Sequence, residues 1–205
     1  MTTSEFCGIA KSKGLFKSAA RLQIYLESMF ADVVFLMRGK RVIDIGGGNG
    51  LFSFYAAACG GASHVVCIEP EAYGSHQGMV KMFQEVRVEM GLEHSTQMKT
   101  CTIQNFSSEV KEKFDVAILH NSINHLDEKA CISLHKDQSN KDKYISLFKF
   151  IGDLLKKDSE ILIYDCARKN IFPAMGLKNP FAPTIEWHKH QEPELWSSVL
   201  ANAGY

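Results

Sequence analysis

The sequence predicts an α/β protein built on a doubly wound, mostly parallel sheet with helices on both faces. Three observations carry that expectation. Short apolar, β-branched runs recur at 41–45, 64–68, 114–119 and 160–164, and segments of helical period separate them. The runs are apolar almost throughout, the pattern of parallel strands covered on both sides by crossover helices. Glycines punctuate the alternation where helices start or stop.

From Leu15 to about Met37, the residues Leu15, Phe16, Ala19, Leu22, Leu26, Met29, Phe30, Val33 and Phe35 recur at helical spacing. This is an amphipathic leading helix or helix pair, so residues 1–40 are expected to form an N-terminal helical cap on a single domain spanning 1–205. Arg41–Ile45 is the first strand, and Leu51 to Cys59 is a helix stopped by Gly60-Gly61. His64–Ile68 is the second strand, Gly74 to Met90 a helix, and Met98–Ile103 the third strand. Phe114–Leu119 is the fourth strand, Tyr144–Leu155 a helix, Glu160–Tyr164 the fifth strand and Glu194–Ala201 the last helix. In such sheets ligands lie beyond the carboxyl ends of the strands, so residues just after each strand carry the functional interest.

The chain has 205 residues, 45% hydrophobic and 22% charged, enough for one sizeable core. Its 23 Lys+Arg balance 23 Asp+Glu, so neither a nucleic acid nor an anionic membrane is an expected partner. Six cysteines form no C-x-x-C pair, and the first residues hold no apolar signal core. A disulfide scaffold, a zinc ribbon and secretion are disfavoured, and a cytoplasmic location is expected. The uncharged run from Ile45 to Ile68 is interrupted by six glycines and by Asn49, Ser53, Ser63 and His64. It reads as strand, helix and strand, not as a membrane span.

The first strand empties into Asp44-Ile-Gly46-Gly-Gly48-Asn-Gly50, and a helix follows at once. Glycines at alternate positions let the backbone turn sharply and let a ligand lie against main-chain N–H groups. The second strand ends in Glu69-Pro70, where a carboxylate can accept hydrogen bonds from a ribose diol. A dinucleotide fingerprint would need a further glycine at Leu51 or Ser53, so a nicotinamide cofactor is disfavoured.

On these residues the chain resembles the class I S-adenosylmethionine-dependent methyltransferases, a family with a Rossmann-like fold, over roughly residues 15–205. VIDIGGGNG is similar to their glycine motif, VVCIEP to their second-strand motif and FDVAILHNSINHLDE to their fourth-strand segment. IGDLLKKDSEILIYD is similar to the helix, turn and strand that follow, with Lys157-Asp158-Ser159-Glu160 in place of the usual Pro-Gly-Gly turn. The resemblance implies S-adenosyl-L-methionine as cofactor. It places Asp44 and the Gly46, Gly48 and Gly50 backbone at the methionyl end, and Glu69, beside Pro70, on the ribose hydroxyls. It also places Asn105 and Phe106 at the adenine and lets His120 line the cofactor pocket.

Methyl transfer from a sulfonium is an in-line displacement, so the protein mainly aligns the reactants and excludes water. An oxygen acceptor also needs a base, and an amine needs only to arrive unprotonated. His120 and His125, after the fourth strand, are the candidate bases, with Asn121 beside them. The fifth strand is followed by Asp165, Arg168 and Asn170 and then by a long loop with Pro173, Pro180, Phe181, Pro183, Trp187, His188 and His190. Such a loop can wall an acceptor pocket, with Trp187, His188 and His190 as contacts, or it can be a packed structural segment. Glu186, His188 and His190 would share one face of an extended segment, but no fourth ligand is fixed. The resembled metal-dependent branch uses an aspartate where this chain has His120-Asn121, so no metal is expected.

The expected activity is methyl transfer to a small or medium-sized acceptor, with oxygen favoured and a saccharide as the leading class. A non-catalytic protein that keeps the domain to bind cofactor or a partner is the alternative. The resembled fold continues with two strands after its last helix, whereas this sequence stops at Asn202-Ala-Gly-Tyr205. The sheet is therefore expected to lack them, leaving the fifth strand as an edge through which an oligomer can form.

Overall fold

Five strands form one sheet in the order β3-β2-β1-β4-β5 in the computed structural model, which describes residues 1–71, 78–106, 113–169, 171–177, 179 and 185–205. They are β1 (Arg41–Ile45), β2 (His64–Ile68), β3 (Thr96–Lys99), β4 (Phe114–His120) and β5 (Leu155–Tyr164). β1 runs parallel to β2, with Asp44 opposite Cys67, and parallel to β4, with Asp44 opposite Ile118. β2 is parallel to β3. Val42, Ile43, Ile45, Val65, Val66, Cys67 and Ile68 are all buried, as their continuous apolarity requires of strands covered on both faces. The strand order reverses between β1 and β4, which makes the carboxyl end of β1 a topological switch point.

The chain gathers into two compact units: Met1–Leu119 with Leu155–Leu162, and His120–Leu154 with Ile163–Tyr205. In the first, α1 (Thr3–Ser12) and α2 (Ala19–Phe30) pack on α3 (Leu51–Ala58). Phe6 meets Tyr55 edge-on at 5.4 Å, and Phe30 lies 5.5 Å from Phe52 and 5.6 Å from Tyr55. Residues 1–40 thus contribute aromatic side chains to that unit's core. α4 (Met79–Glu89) adds Phe83, stacked on Phe54 at 4.7 Å. The stretch 72–77, where the sequence places the start of this helix, lies outside the described residues. Asp115 ties three strand starts together, accepting the Arg41 N–H at 2.9 Å and pairing with Lys156 Nζ at 2.9 Å.

The second unit holds α5 (Glu128–Ser133), α6 (Gln138–Leu154), α7 (Ile171–Ala174) and α8 (Pro193–Ala203). Its core centres on the fully buried Tyr144, whose hydroxyl donates to the Ile123 carbonyl at 2.9 Å and whose ring lies 5.2 Å from Trp196.

Several elements differ from the sequence expectation. α1 falls within the expected helical cap of residues 1–40 but ahead of the Leu15–Met37 pattern: Thr2 and Glu5 form a capping box that satisfies two backbone donors, and Phe6, Cys7 and Ala10 are buried on one side. The leading pattern breaks after Phe30, and Val34–Met37 is a separate 3₁₀ turn. β3 lies earlier than Met98–Ile103, because Thr102 accepts from the Asn105 N–H and turns Ile103–Asn105 into a 3₁₀ helix. β5 starts at Leu155, directly after α6, and Asp158 takes a φ of 60° in the segment where the resembled family has glycine. The loop after β5 contains α7 and a 3₁₀ turn at Trp187–Lys189, so it is not extended through His188. No helix among the described residues is long and apolar enough to cross a membrane.

Candidate functional site

β1 delivers Asp44 fully buried to the edge of the glycine turn. Ser53, in the first turn of α3, donates its hydroxyl to Asp44 Oδ2 at 2.6 Å. The other oxygen, Oδ1, is buried with no hydrogen-bond partner among the described residues. Burial pushes the Asp44 carboxyl up to about 6, the Ser53 hydrogen bonds work against that rise, and the charge of Glu69 adds to it. An unpartnered buried acceptor is costly, and a cationic or N–H-bearing ligand is what would satisfy it.

The glycines of the turn do different work. Gly48 has a φ of 57°, and among the described residues a Cβ there would meet nothing nearer than Met79 Sδ at 3.9 Å, which leaves that side open to a ligand's approach. A Cβ on Gly50 would fall 2.3 Å from the Phe83 ring, which makes Gly50 a packing requirement. Gly47, passed over by the alternate spacing, is equally constrained: its Cβ would lie 2.6 Å from both Asp44 Oδ2 and Cys67 Sγ. Gly46, with a φ of 71°, donates its N–H to the Ile68 carbonyl at 2.8 Å and so joins the turn to the end of β2.

Glu69 is 4% exposed, and its carboxylate accepts the Gly48 N–H at 2.9 Å and the Glu71 N–H at 3.1 Å. A carboxylate offers about four lone-pair positions, so a ligand hydroxyl can be accepted beside these donors. Pro70 follows half-buried. After β3, Phe106 is buried and Asn105 is exposed, its backbone N–H held by the Thr102 hydroxyl. Asp44, the glycines, Glu69, Pro70, Asn105 and Phe106 all belong to the first unit.

The remaining candidates belong to the second unit. His120, the last residue of β4, has its ring 6.4 Å from that of Tyr164. Burial pulls its imidazole down to about 4, against a backbone hydrogen bond and the charge of Asp165, so the ring is neutral near pH 7. Asn121 is exposed, adopts a φ of 49° and donates its N–H to the Tyr164 carbonyl at 2.8 Å. His125 is exposed and places Nδ1 3.2 Å from Glu128 Oε2.

His190 is 8% exposed, with Nδ1 at 3.0 and 3.2 Å from the two oxygens of Asp165. Trp187 is half-buried, its ring 6.3 Å from that of His190, and His188 is exposed. Arg168 holds this segment from behind: Nε donates to the His190 carbonyl at 2.7 Å, and Nη2 donates to the carbonyls of Ile132 and His188. Lys189 bridges Glu128 at 3.0 Å and Glu186 at 2.7 Å. The shared face of Glu186, His188 and His190 therefore does not form, since Glu186 is turned to Lys189 and His190 to Asp165. No group of three metal-ligating side chains is assembled among the described residues. Asn170, Pro180, Phe181 and Pro183 lie outside the described residues. Sequence reasoning named Asp165 and His190 separately, and no local signal marks them as a pair, because 25 residues separate them.

A family model described as a methyltransferase domain matches residues 36–204. No curated protein matches the sequence. Among solved structures, the N,N-8-amino-8-demethyl-D-riboflavin dimethyltransferase of Streptomyces davawensis superposes with a TM-score of 0.61 at 16% identity, covering 91% of this chain and 50% of that one. A candidate sarcosine dimethylglycine methyltransferase from Galdieria sulphuraria gives 0.59 at 17% identity, with 92% and 62% covered. The S-adenosylmethionine-dependent methyltransferase SibL gives 0.58 at 16% identity, with 91% and 52% covered. These likenesses show a Rossmann-like α/β fold, and the chain spans about half to three-fifths of the length of those structures. The family's cofactor, S-adenosyl-L-methionine, brings an ammonium, a sulfonium and a ribose diol. An Asp44 oxygen without a partner among the described residues, a Gly48 whose Cβ side they leave open and a buried Glu69 carboxylate suit those groups. On the match over residues 36–204, this chain belongs to the methyltransferase-domain family.

Proposed function

We propose that the chain transfers a methyl group from S-adenosyl-L-methionine to a small or medium-sized acceptor, with oxygen favoured over nitrogen. The observation that carries the cofactor half of this reading is Asp44 Oδ1, a buried acceptor without a partner among the described residues, at the carboxyl end of β1. In this reading Asp44 receives the ligand's ammonium, the backbone from Gly46 to Gly50 borders its methionyl end, and Glu69 takes the ribose hydroxyls. Pro70, Asn105, Phe106 and His120 supply further cofactor contacts. The bound cofactor supplies an electrophilic methyl group.

Asn121, Trp187, His188 and His190 are the proposed acceptor contacts. A saccharide fits a chain of balanced charge that carries an aromatic ring and two histidines in one loop segment. His120 and His125 are the proposed bases for a hydroxyl acceptor: burial leaves the His120 ring neutral, and His125 places Nδ1 3.2 Å from Glu128 Oε2. The six cysteines are all free, in keeping with the proposed cytoplasmic location.

Calorimetric titration with S-adenosylmethionine and its demethylated product tests the reading. Micromolar binding is expected, with no binding of NAD. Preferential binding of NAD would sink it.

A further inference from the structure

We infer that Asn49 is a positioning residue that joins the N-terminal segment to the glycine turn, so that docking of residues 1–18 and binding of the cofactor favour one another; this rests on the methyltransferase reading above. Asn49 stands between Gly48, whose Cβ side the described residues leave open, and Gly50, which packs on Phe83. Its side chain is engaged at both ends. Oδ1 accepts the Leu51 N–H at 3.2 Å, and Nδ2 donates to the Leu15 carbonyl at 3.3 Å, 34 residues earlier. The first bond supplies what the N-cap of α3 lacks, since Gly50 has no side chain to receive an amide of the first turn. The two bonds also fix the amide's orientation. Turned over, it would set a donor against the Leu51 N–H and an acceptor against the Leu15 carbonyl.

The Leu15 carbonyl is presented by a backbone that is itself held. Gly14, with a φ of 72°, donates its N–H to the Lys11 carbonyl at 3.1 Å, and Leu15 donates to the Ala10 carbonyl at 2.9 Å. The chain thus turns sharply out of α1 and leaves Leu15 only 6% exposed beside the glycine turn. Elsewhere the N-terminal helices grip α3 through rings, Phe6 on Tyr55 and Phe30 on Phe52 and Tyr55. Every group in this arrangement belongs to the first unit.

The two kinds of contact respond differently to a ligand at the turn. Ring packing is non-directional and lies along α3, away from the open side of Gly48. The Asn49–Leu15 bond is directional, and it starts from a residue flanked by glycines with φ of 57° and 83°. A ligand lying against the turn restrains those torsions and so holds the Asn49 amide where Leu15 needs it. By linkage, a docked Leu15 holds the turn in the form that the ligand needs. The N-terminal segment therefore contributes to cofactor affinity through Asn49 without touching the cofactor.

Hydrogen exchange read by peptide mass on the full chain tests this, with S-adenosylhomocysteine as the probe. In the wild type, amides of residues 11–18 are expected to exchange about threefold or more slowly when the probe is bound. Asn49→Ser keeps an acceptor for the cap but is too short to reach Leu15. It should raise the Kd for the probe about three- to tenfold, the worth of one neutral hydrogen bond, and erase the slowing at 11–18. Amides of residues 114–119 should exchange as in the wild type. Asn49→Asp keeps the length and the cap acceptor but sets an oxygen against the Leu15 carbonyl, and it should behave as Asn49→Ser does.

A residue that only capped α3 would leave both variants with the wild-type slowing at 11–18, and that result overturns the inference. A wild type that binds the probe with no slowing at 11–18 also overturns it, and leaves the methyltransferase reading intact. Failure of the wild type to bind the probe at all overturns that reading and the coupling with it.

Discussion

Glu69 accepts the Gly48 N–H at 2.9 Å, so the acid at the end of β2 and the glycine turn at the end of β1 form a single hydrogen-bonded structure. The same carboxylate accepts the Glu71 N–H, so removing it would leave two backbone donors without their partner. Glu69→Ala is expected to weaken binding of S-adenosylmethionine by about 1.5–3 kcal/mol and also to lower the melting temperature. Glu69→Gln, which keeps one acceptor oxygen, should recover more of the stability than of the affinity. Calorimetry and thermal melting separate the two losses, and unchanged affinity in the alanine variant would remove Glu69 from the ligand site.

Gly47 and Gly48 are adjacent, yet substitutions at them should fail differently. Gly47→Ala forces a methyl group against Asp44 Oδ2 and Cys67 Sγ, both in the packed interior, and is expected to cost about 1–3 kcal/mol of stability. A Cβ on Gly48 clashes with none of the described residues, but Gly48→Val must hold a β-branched residue at positive φ on the side a ligand would approach. It should fold, with reduced stability, and lose cofactor binding. Urea denaturation together with ligand titration distinguishes the two, and normal binding by Gly48→Val would mean that this glycine serves only the turn.

Asp44 has a pH signature. Its folded-state carboxyl is raised from 3.8 to about 6, so the folded protein holds a proton that the unfolded chain has released between those values. Stability should therefore fall as pH rises from about 4 through 6 and level off above. Asp44→Asn removes the charge, so it should raise the melting temperature at pH 8 relative to wild type and narrow the gap near pH 4. A cationic ligand favours the ionised form, so affinity for S-adenosylmethionine should increase from pH 5 to pH 7 in the wild type. A flat profile for both quantities would place the proton elsewhere.

Asp115 shows the opposite sign. Burial acts to raise its carboxyl, but the Arg41 N–H and the Lys156 and Lys40 charges outweigh it and hold the group below the usual range. Its contribution is present above the unfolded carboxylate range and is lost as pH falls through the lowered folded value. Asp115→Ala should destabilise the fold by about 1–3 kcal/mol at pH 7, since it strands the Arg41 N–H and unpairs Lys156. In urea titrations the difference from wild type should shrink toward pH 3, and cofactor affinity should stay unchanged at pH 7.

The sequence by itself determined the parallel sheet and the glycine turn after β1, because both depend on local rules. A strand buried on both faces must be continuously apolar, as 41–45 and 64–68 are, and a turn that brings backbone to a ligand must be free of Cβ atoms, as Gly48 is. Where burial was partial the local signal faded: β3 reads Thr-Gln-Met-Lys and lies at the end of the strand order, so its neighbour Ile103 drew the expected boundary too late. The capping box that starts α1 was visible in Thr2 and Glu5, but the helix has only 10 residues and few apolar positions to mark it. Only the tertiary structure decided that Gly47 has no room for a side chain, because that room is taken by Asp44 on β1 and Cys67 on β2. Only it decided that Asp165 meets His190 across 25 residues, since a contact between the end of a strand and a distant 3₁₀ turn depends on how Arg168 and Gln191 fold the intervening chain back, which no spacing along the sequence encodes.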